Sequence, residues 1–363
     1  MQINQIPVAS VVMPVYGTEG FVQESMDSIL NQSFADFELI IICDEPSENL
    51  KIILNNYQLK DNRIRVTYRS ERGLISALNQ GYEFAKGKYI IRMDADDICT
   101  KDRFSKQINY MEQHPEIGVL GSNIEHIDEK GNFIGKTNLP QSDEQIRCEL
   151  FFQNVIAHPT ILIRKSIIEK LIGPYDASFT HAEDYELWTR CMEITKFSNL
   201  PQALLYYRLH SNSNRVSVQF RSEQILQDKR IHGKLLNKIG ILPTDNEIQL
   251  HEIICSGTRH VLNKETIIFA DKWLNNIKHS NLRTLVYPPH FFSISIATRW
   301  YRICQLGILY SNSYFGIQKV ILFFKSPLSK NTRLLHRRIV LLTCLALIKP
   351  MFRLFKRISF NTT

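Results

Sequence analysis

Within about 95 residues of the N-terminal part, apolar runs of strand length alternate with segments of helical spacing. Val8 to Val15 is an apolar run broken by Pro14. Phe21 to Leu30 has helical spacing, with Phe21, Ser25, Ser28 and Ile29 near one face. Phe37 to Cys43 is almost unbroken apolar sequence, and Asn49 to Tyr57 carries Leu50, Ile53, Leu54 and Tyr57 at helical intervals. Ile64 to Tyr68 alternates as a strand. Leu74, Ala77, Leu78, Gly81, Phe84 and Ala85 fit the inner face of a helix that Gly87 stops, and Lys88 to Met93 returns to strand. Strands this apolar need both faces covered, so the pattern predicts an α/β fold around a mostly parallel sheet. Ligands of such sheets bind beyond the carboxyl ends of the strands. Tyr16, Asp44 and Asp96 all fall at that edge, after different strands.

The fourth strand runs into Met93-Asp94-Ala95-Asp96-Asp97. Three like charges in four residues repel one another unless a cation neutralises them. Mg²⁺ and Mn²⁺ take oxygen ligands, usually one or two carboxylates plus substrate phosphates. An acidic surface turn is the plain alternative, and the place of this run at a strand end weighs against it.

These residues resemble the start of family 2 glycosyltransferases. The likeness is carried by Val12-Met13-Pro14-Val15-Tyr16, by Ser25 to Ser33, and by Phe37 to Asp44. It continues through Gly73-Leu74 with Ala77, Asn79 and Gly81, then Gly87-Lys88-Tyr89-Ile90 and Asp94-Ala95-Asp96-Asp97. Further on, His158-Pro159-Thr160, Glu183 to Trp188 and Tyr207 to Ser213 stand in family order. The resemblance covers roughly residues 8 to 215 and implies a GT-A fold, a nucleotide-sugar donor, a divalent metal and inversion at the anomeric carbon. One departure stands out. The family often shows Asp-Asp-Gly-Ser after the second strand, and this chain has Cys43-Asp44-Glu45-Pro46-Ser47, which leaves the shape of that loop open.

Residue chemistry and, for Asp44 and Asp184, the resemblance suggest roles. Asp96 is the candidate for direct ligation of Mn²⁺ or Mg²⁺, with Asp94 bound through water or holding the ribose. Asp97 supports them or caps the following segment. Asp44 matches the acidic residue set against the base, and an imide N–H of uracil or thymine suits a carboxylate acceptor. Pro14 and Tyr16 belong to the donor nucleotide site, where an aromatic face on a base is worth roughly 1–3 kcal/mol in nucleic-acid settings. Arg72, with Arg69, ends the third strand within reach of phosphate or base. Asp184 is the candidate general base, since inversion needs a proton acceptor opposite the leaving group. For Glu183 and Asp184 the alternative is a pair that complements a helix dipole. Glu183, His158 and Trp188 are expected near the acceptor, with a structural histidine and a core tryptophan as the other readings. Arg208 and His210 follow Leu204 to Tyr207 and are expected to reach the diphosphate as a loop closes, or else to form a polar strand end.

The formal charge of +8 hides a division. Lys272 to Thr363 holds 15 Lys or Arg and no Asp or Glu, leaving 29 basic against 36 acidic residues, a net −7, in 1–271. The basic part also carries Phe291-Phe292, Trp300-Tyr301, Val320 to Phe324 and Ile339 to Ile348. The last run has ten residues where a bilayer span needs about 20. With Arg337-Arg338 before it and Lys349, Arg353, Lys356 and Arg357 after it, it suits an anionic membrane interface. A helical bundle with a basic face is the structural alternative, and nucleic acid is disfavoured because the tail is too apolar. Seven scattered cysteines without a Cys-x-x-Cys pair suggest reduced thiols and argue against zinc. Met1 to Pro7 lacks a signal sequence, so a cytoplasmic enzyme peripheral to the inner membrane face is expected.

The domains expected are 1–215, the glycosyltransferase domain, and 216–363, a mainly helical region that associates with membrane from about 280. The expected substrates are a UDP- or dTDP-sugar and a glycan or lipid-linked acceptor in surface-polysaccharide assembly. A non-catalytic nucleotide-sugar-binding module and a nucleotidyltransferase are the alternatives. The first would tolerate loss of Asp96 and Asp184, and both are present.

Overall fold

The computed structural model describes residues 6–210, 220–256, 263–310 and 323–329. The chain forms two compact units, Met1–Ile146 with Asn154–Gln227 and Arg147–Gln153 with Asp228–Thr363. The first begins β1 (Ala9–Val15), α1 (Val22–Leu30), β2 (Phe37–Asp44), α2 (Glu48–Lys60), β3 (Ile64–Arg69), α3 (Leu74–Phe84) and β4 (Tyr89–Arg92). The alternation in the sequence is thus the alternation in the fold. The four strands are mutually parallel in the order β3-β2-β1-β4. All eight residues of β2 are buried, which is why its run is continuously apolar. Helix α3 lies close on the sheet because Gly81 has no side chain: a Cβ there would meet Val12 Cγ1 at 2.3 Å.

The rest of the sheet is mixed. It adds β5 (Ile98–Cys99), β6 (Ile117–Ile127), β7 (Phe133–Thr137), β8 (Leu162–Arg164) and β9 (Lys196–Arg208), making nine strands among the described residues. β8 is antiparallel to β4 and to β6, while β6 and β9 run parallel over most of their length. Between these lie α4 (Arg103–Gln113), α5 (Asp143–Leu150), a 3-10 turn (His158–Thr160), α6 (Lys165–Ile168) and α7 (Glu183–Cys191).

The polar positions on α1 have a positional task. Ser25 Oγ donates to the Asp94 carbonyl (3.0 Å), Ser28 Oγ accepts from the Cys99 amide (3.0 Å), and Gln32 Nε2 donates to the Thr100 carbonyl (2.8 Å). Helix α1 therefore holds the acidic loop by its backbone. From the other side, Arg208 at the end of β9 donates its amide to Asp97 Oδ1 (2.9 Å) and its Nε to the Asp96 carbonyl (2.8 Å).

Helix α8 (Arg221–Lys238) starts in the first unit and continues into the second, past the shift in composition near 216. The second unit is helical, with α9 (Asp245–Ser256), α10 (Lys264–Thr284) and α11 (Pro289–Tyr310). Asn281 shapes the turn between the last two helices, donating to the Tyr287 carbonyl and accepting from its amide, both at 2.9 Å. No described helix is long and apolar enough to cross a membrane. Ile339 to Ile348 and its flanking cations lie outside the described residues. The six described cysteines are buried thiols.

Candidate active site

The carboxyl ends of β1 to β4 open onto two adjoining hollows of about 790 and 900 Å³, which share Tyr16, Thr18, Asp94 and Asp96. The first is also lined by Pro14, Asp44, Arg72 and Gly73, and the second by Arg92, Asp97, Glu183, Asp184, Arg208 and His210. Pro14, Tyr16, Asp44, Arg72, Asp94, Asp96, Asp97, Glu183, Asp184, Arg208 and His210, all given roles from sequence, therefore line one continuous cleft.

In the first hollow, Asp44 is 4% exposed. Its Oδ2 accepts the Gly73 amide at 2.8 Å. Its Oδ1 lies 3.1 Å from Arg69 Nε but makes no hydrogen bond, so the angle and not the distance fails. Burial raises the carboxyl above its ordinary range, while the Gly73 amide and Arg69 pull it back. The following residue, Glu45, takes φ 42°, a left-handed conformation that costs a non-glycine residue about 1 kcal/mol or more. Asp44 nevertheless ends β2 at the sheet edge. Arg72 lays its guanidinium over the Tyr16 ring at 4.0 Å from the centroid.

In the second hollow, Asp94, Asp96 and Asp97 each bring one carboxylate oxygen within 4.8 Å of the others. Asp94 is paired with buried Arg92, and Asp96 Oδ2 is 2.6 Å from His210 Nε2. Asp97 is 1% exposed, and its Oδ2 has no hydrogen-bond partner. Burial, then the neighbouring Asp94 and Asp96, hold the Asp97 carboxyl well above its ordinary value. Burial also raises Asp94, against the pull of Arg92. An all-oxygen set with one orphaned buried oxygen suits a hard divalent cation.

Glu183 and Asp184 open α7 and face the same hollow. Asp184 accepts from Asn154 Nδ2 and from the Tyr185 amide, both at 2.7 Å. Burial raises its carboxyl, and the Tyr185 amide and Arg92 oppose this. Burial and the adjacent Asp184 push Glu183 up to about 8. An unfolded Glu releases its proton near 4.5, so stability falls as pH rises from there through 8. Glu183→Gln should therefore stabilise the chain above pH 8, by on the order of a few kcal/mol, and bring no gain below 4.5. Thermal unfolding across that range without added metal checks it; a gain independent of pH would contradict the charge argument.

Trp188 and His158, assigned to the acceptor, lie elsewhere. Trp188 is fully buried, although it follows Asp184 by one helical turn. The first turn of α7 lines the cleft and the next lies beneath it, with Tyr185, Leu187, Trp188 and Cys191 all buried. Trp188 is therefore core and not the floor of an acceptor site. His158 is buried behind Glu183, with Nδ1 3.9 Å from Glu183 Oε1 and Nε2 2.8 Å from the Tyr175 hydroxyl. Burial holds its ring well below the ordinary range, so it stays neutral. Arg208 lines the cleft, but its donors also serve the Asp128 and Glu129 carbonyls at 3.2 Å and Glu24 at 2.6 Å.

Sequence reading missed Arg92, His181 and Phe220. Arg92 is a buried cation beside the carboxylates, and its signal was a charge inside the apolar run Tyr89 to Met93. His181 and Phe220 stack at 4.5 Å with planes 11° apart on the rim shared by both hollows. Gln227 fixes that rim, accepting from the His181 amide at 2.8 Å and donating to Thr180 Oγ1 at 3.0 Å.

A model of glycosyl transferase family 2 matches residues 10–172. The chain is 38% identical over 227 residues to the O-antigen biosynthesis glycosyltransferase WbnJ of Escherichia coli, covering 60% of this chain and 85% of that protein. It is 36% identical over 218 residues to the glycosyltransferase MJ1057 of Methanocaldococcus jannaschii, covering 58% and 74%. Its fold resembles S. aureus TarS 1-349 crystallised with UDP-GlcNAc, with a TM-score of 0.53, 16% identity, and coverage of 83% and 90%. The GT-A architecture, the ordered motifs and these relatives agree: the chain is an enzyme of glycosyltransferase family 2.

Proposed function

We propose that the chain transfers a sugar, with inversion, from a uridine- or thymidine-type nucleoside diphosphate to a hydroxyl of a glycan or lipid-linked acceptor in surface-polysaccharide assembly. The observation that carries this reading is a single cleft with Asp94, Asp96 and Asp97 beside Asp184. The O-antigen relative supports the product class. In this reading the stacked Tyr16 and Arg72 lie beside the base, and Asp44 accepts its imide N–H. Asp96, with Asp94 and Asp97, holds Mn²⁺ or Mg²⁺, which when bound stabilises charge on the departing diphosphate. The acceptor oxygen attacks the anomeric carbon, the bond to the diphosphate oxygen breaks, and Asp184 takes the hydroxyl proton. Asn154 and the Tyr185 amide fix the Asp184 carboxylate for that step. A screen of nucleotide sugars with Mn²⁺ tests the donor, since a ligand at 100 times its Kd adds about 2.7 kcal/mol of stability. The anomeric configuration of the product, read by NMR, tests the stereochemistry; a retained configuration would overturn the role of Asp184.

The same reading places the enzyme on an anionic membrane surface. Its motivation is the 15 cations, without one carboxylate, from Lys272 onward. Each basic residue near such a surface contributes roughly 1 kcal/mol before screening. Vesicles with anionic lipid should bind the full chain, salt should weaken that binding, and neutral vesicles should bind it poorly. Equal binding to both vesicles would remove the electrostatic argument.

A further inference from the structure

The second unit holds a cluster that shares no residue with the catalytic cleft. His232 on α8 meets His251 and Cys255 on α9, and one donor atom of each lies within 4.8 Å of the other two. His251 and Cys255 are four residues apart, so the helical repeat sets them on one face of α9. The rings of His232 and His251 meet edge to face at 5.0 Å. All three residues are buried, with His251 fully enclosed.

Two further observations point to a ligand. Because His251 Nδ1 accepts the Trp273 indole N–H, the ring proton sits on Nε2, which is buried and makes no well-formed hydrogen bond. Glu252 contacts His232 at Nδ1, which favours the tautomer with its proton there. A carboxylate on the far nitrogen is how metal-binding histidines are oriented.

We propose that His232, His251 and Cys255 bind a divalent transition metal, Zn²⁺ foremost, which ties α8 to α9. Two imidazoles and a thiolate are zinc-type donors, and water completes four-coordination. Cys255 releases its S–H proton to solvent on binding, and the thiolate and Glu252 balance the metal's charge. With a single cysteine among the ligands, this site escapes a search for cysteine pairs.

Trp273 is a built-in reporter. Its Nε1–H donates to His251 Nδ1 at 3.2 Å. Metal at Nδ1 takes that lone pair, and metal at Nε2 moves the ring proton onto Nδ1. Either way the indole loses its acceptor.

The test uses the full chain, stripped with chelator and titrated with Co²⁺. The expected result is a thiolate-to-cobalt charge-transfer band, a change in tryptophan emission, and loss of the band on adding Zn²⁺. The melting temperature should rise by about 5 °C or more with metal on the order of 100 times its Kd. Cys255→Ser should lose the band. Asp96→Asn should keep it, which separates this site from the acidic cluster. A wild-type chain without the band, or a band that survives Cys255→Ser, would overturn the proposal. If Cys255→Ser does not fold, His232→Gln serves the same purpose, since losing a nitrogen donor must weaken Co²⁺ binding at least tenfold.

Discussion

Asp184→Asn should reduce sugar transfer by about 10²–10⁴ and leave donor affinity within about twofold. That fall corresponds to about 3–5 kcal/mol of transition-state stabilisation. The substitution keeps size and shape. One oxygen remains to accept from Asn154 or from the Tyr185 amide, so the start of α7 retains an anchor. It also removes a charge whose burial is unfavourable, so the fold should not suffer. What is lost is the proton acceptor facing the hydroxyl. Rates with saturating donor, beside a donor titration, separate the effects. A fall below tenfold would exclude Asp184 as the base, and a matching loss of donor binding would show that it acts on the nucleotide.

Asp96→Asn should abolish the gain in donor affinity that Mn²⁺ provides, a loss of about 1.4 kcal/mol or more, tenfold in Kd. The loop should keep its shape because, His210 apart, its anchors do not use the Asp96 side chain. Arg208 Nε holds the Asp96 carbonyl and Ser25 holds the Asp94 carbonyl, and neither uses the Asp96 side chain. Calorimetric titration of the nucleotide with Mn²⁺ and with chelator gives the two affinities. If their ratio is unchanged in the variant, Asp96 is not the ligand.

The parallel half of the sheet was legible because each strand there is fed by a helix, so two periodicities alternate in a short span. The other half was not. β5 has two residues and β8 three, too few for any periodicity, and β9 pairs with β6 from about eighty positions away. Asp44, Asp94 and Asp96 could be found because the ends of parallel strands share one edge. His158 and Trp188 could not be placed, because one buried ring looks in sequence like another at a cleft. Arg92 was hidden by its strand, and the partnership of His181 with Phe220, the residue before α8, joins positions too far apart in the chain for any local pattern to show.

The hold of Arg208 on the acidic loop has a kinetic consequence. Asp96 and Arg208 are 112 positions apart, and Asp96 and His210 are 114 apart. The entropy of closing so long a loop must be met before these contacts form, and long-range pairings of this kind slow folding. During synthesis the first four strands can pair while β9 is still unmade. Until it docks, the acidic loop has its α1 contacts and the Arg92–Asp94 pair but not its anchors on β9. The nascent chain therefore acquires its sheet well before it acquires an ordered acidic loop, and catalytic competence should be among the last properties to appear.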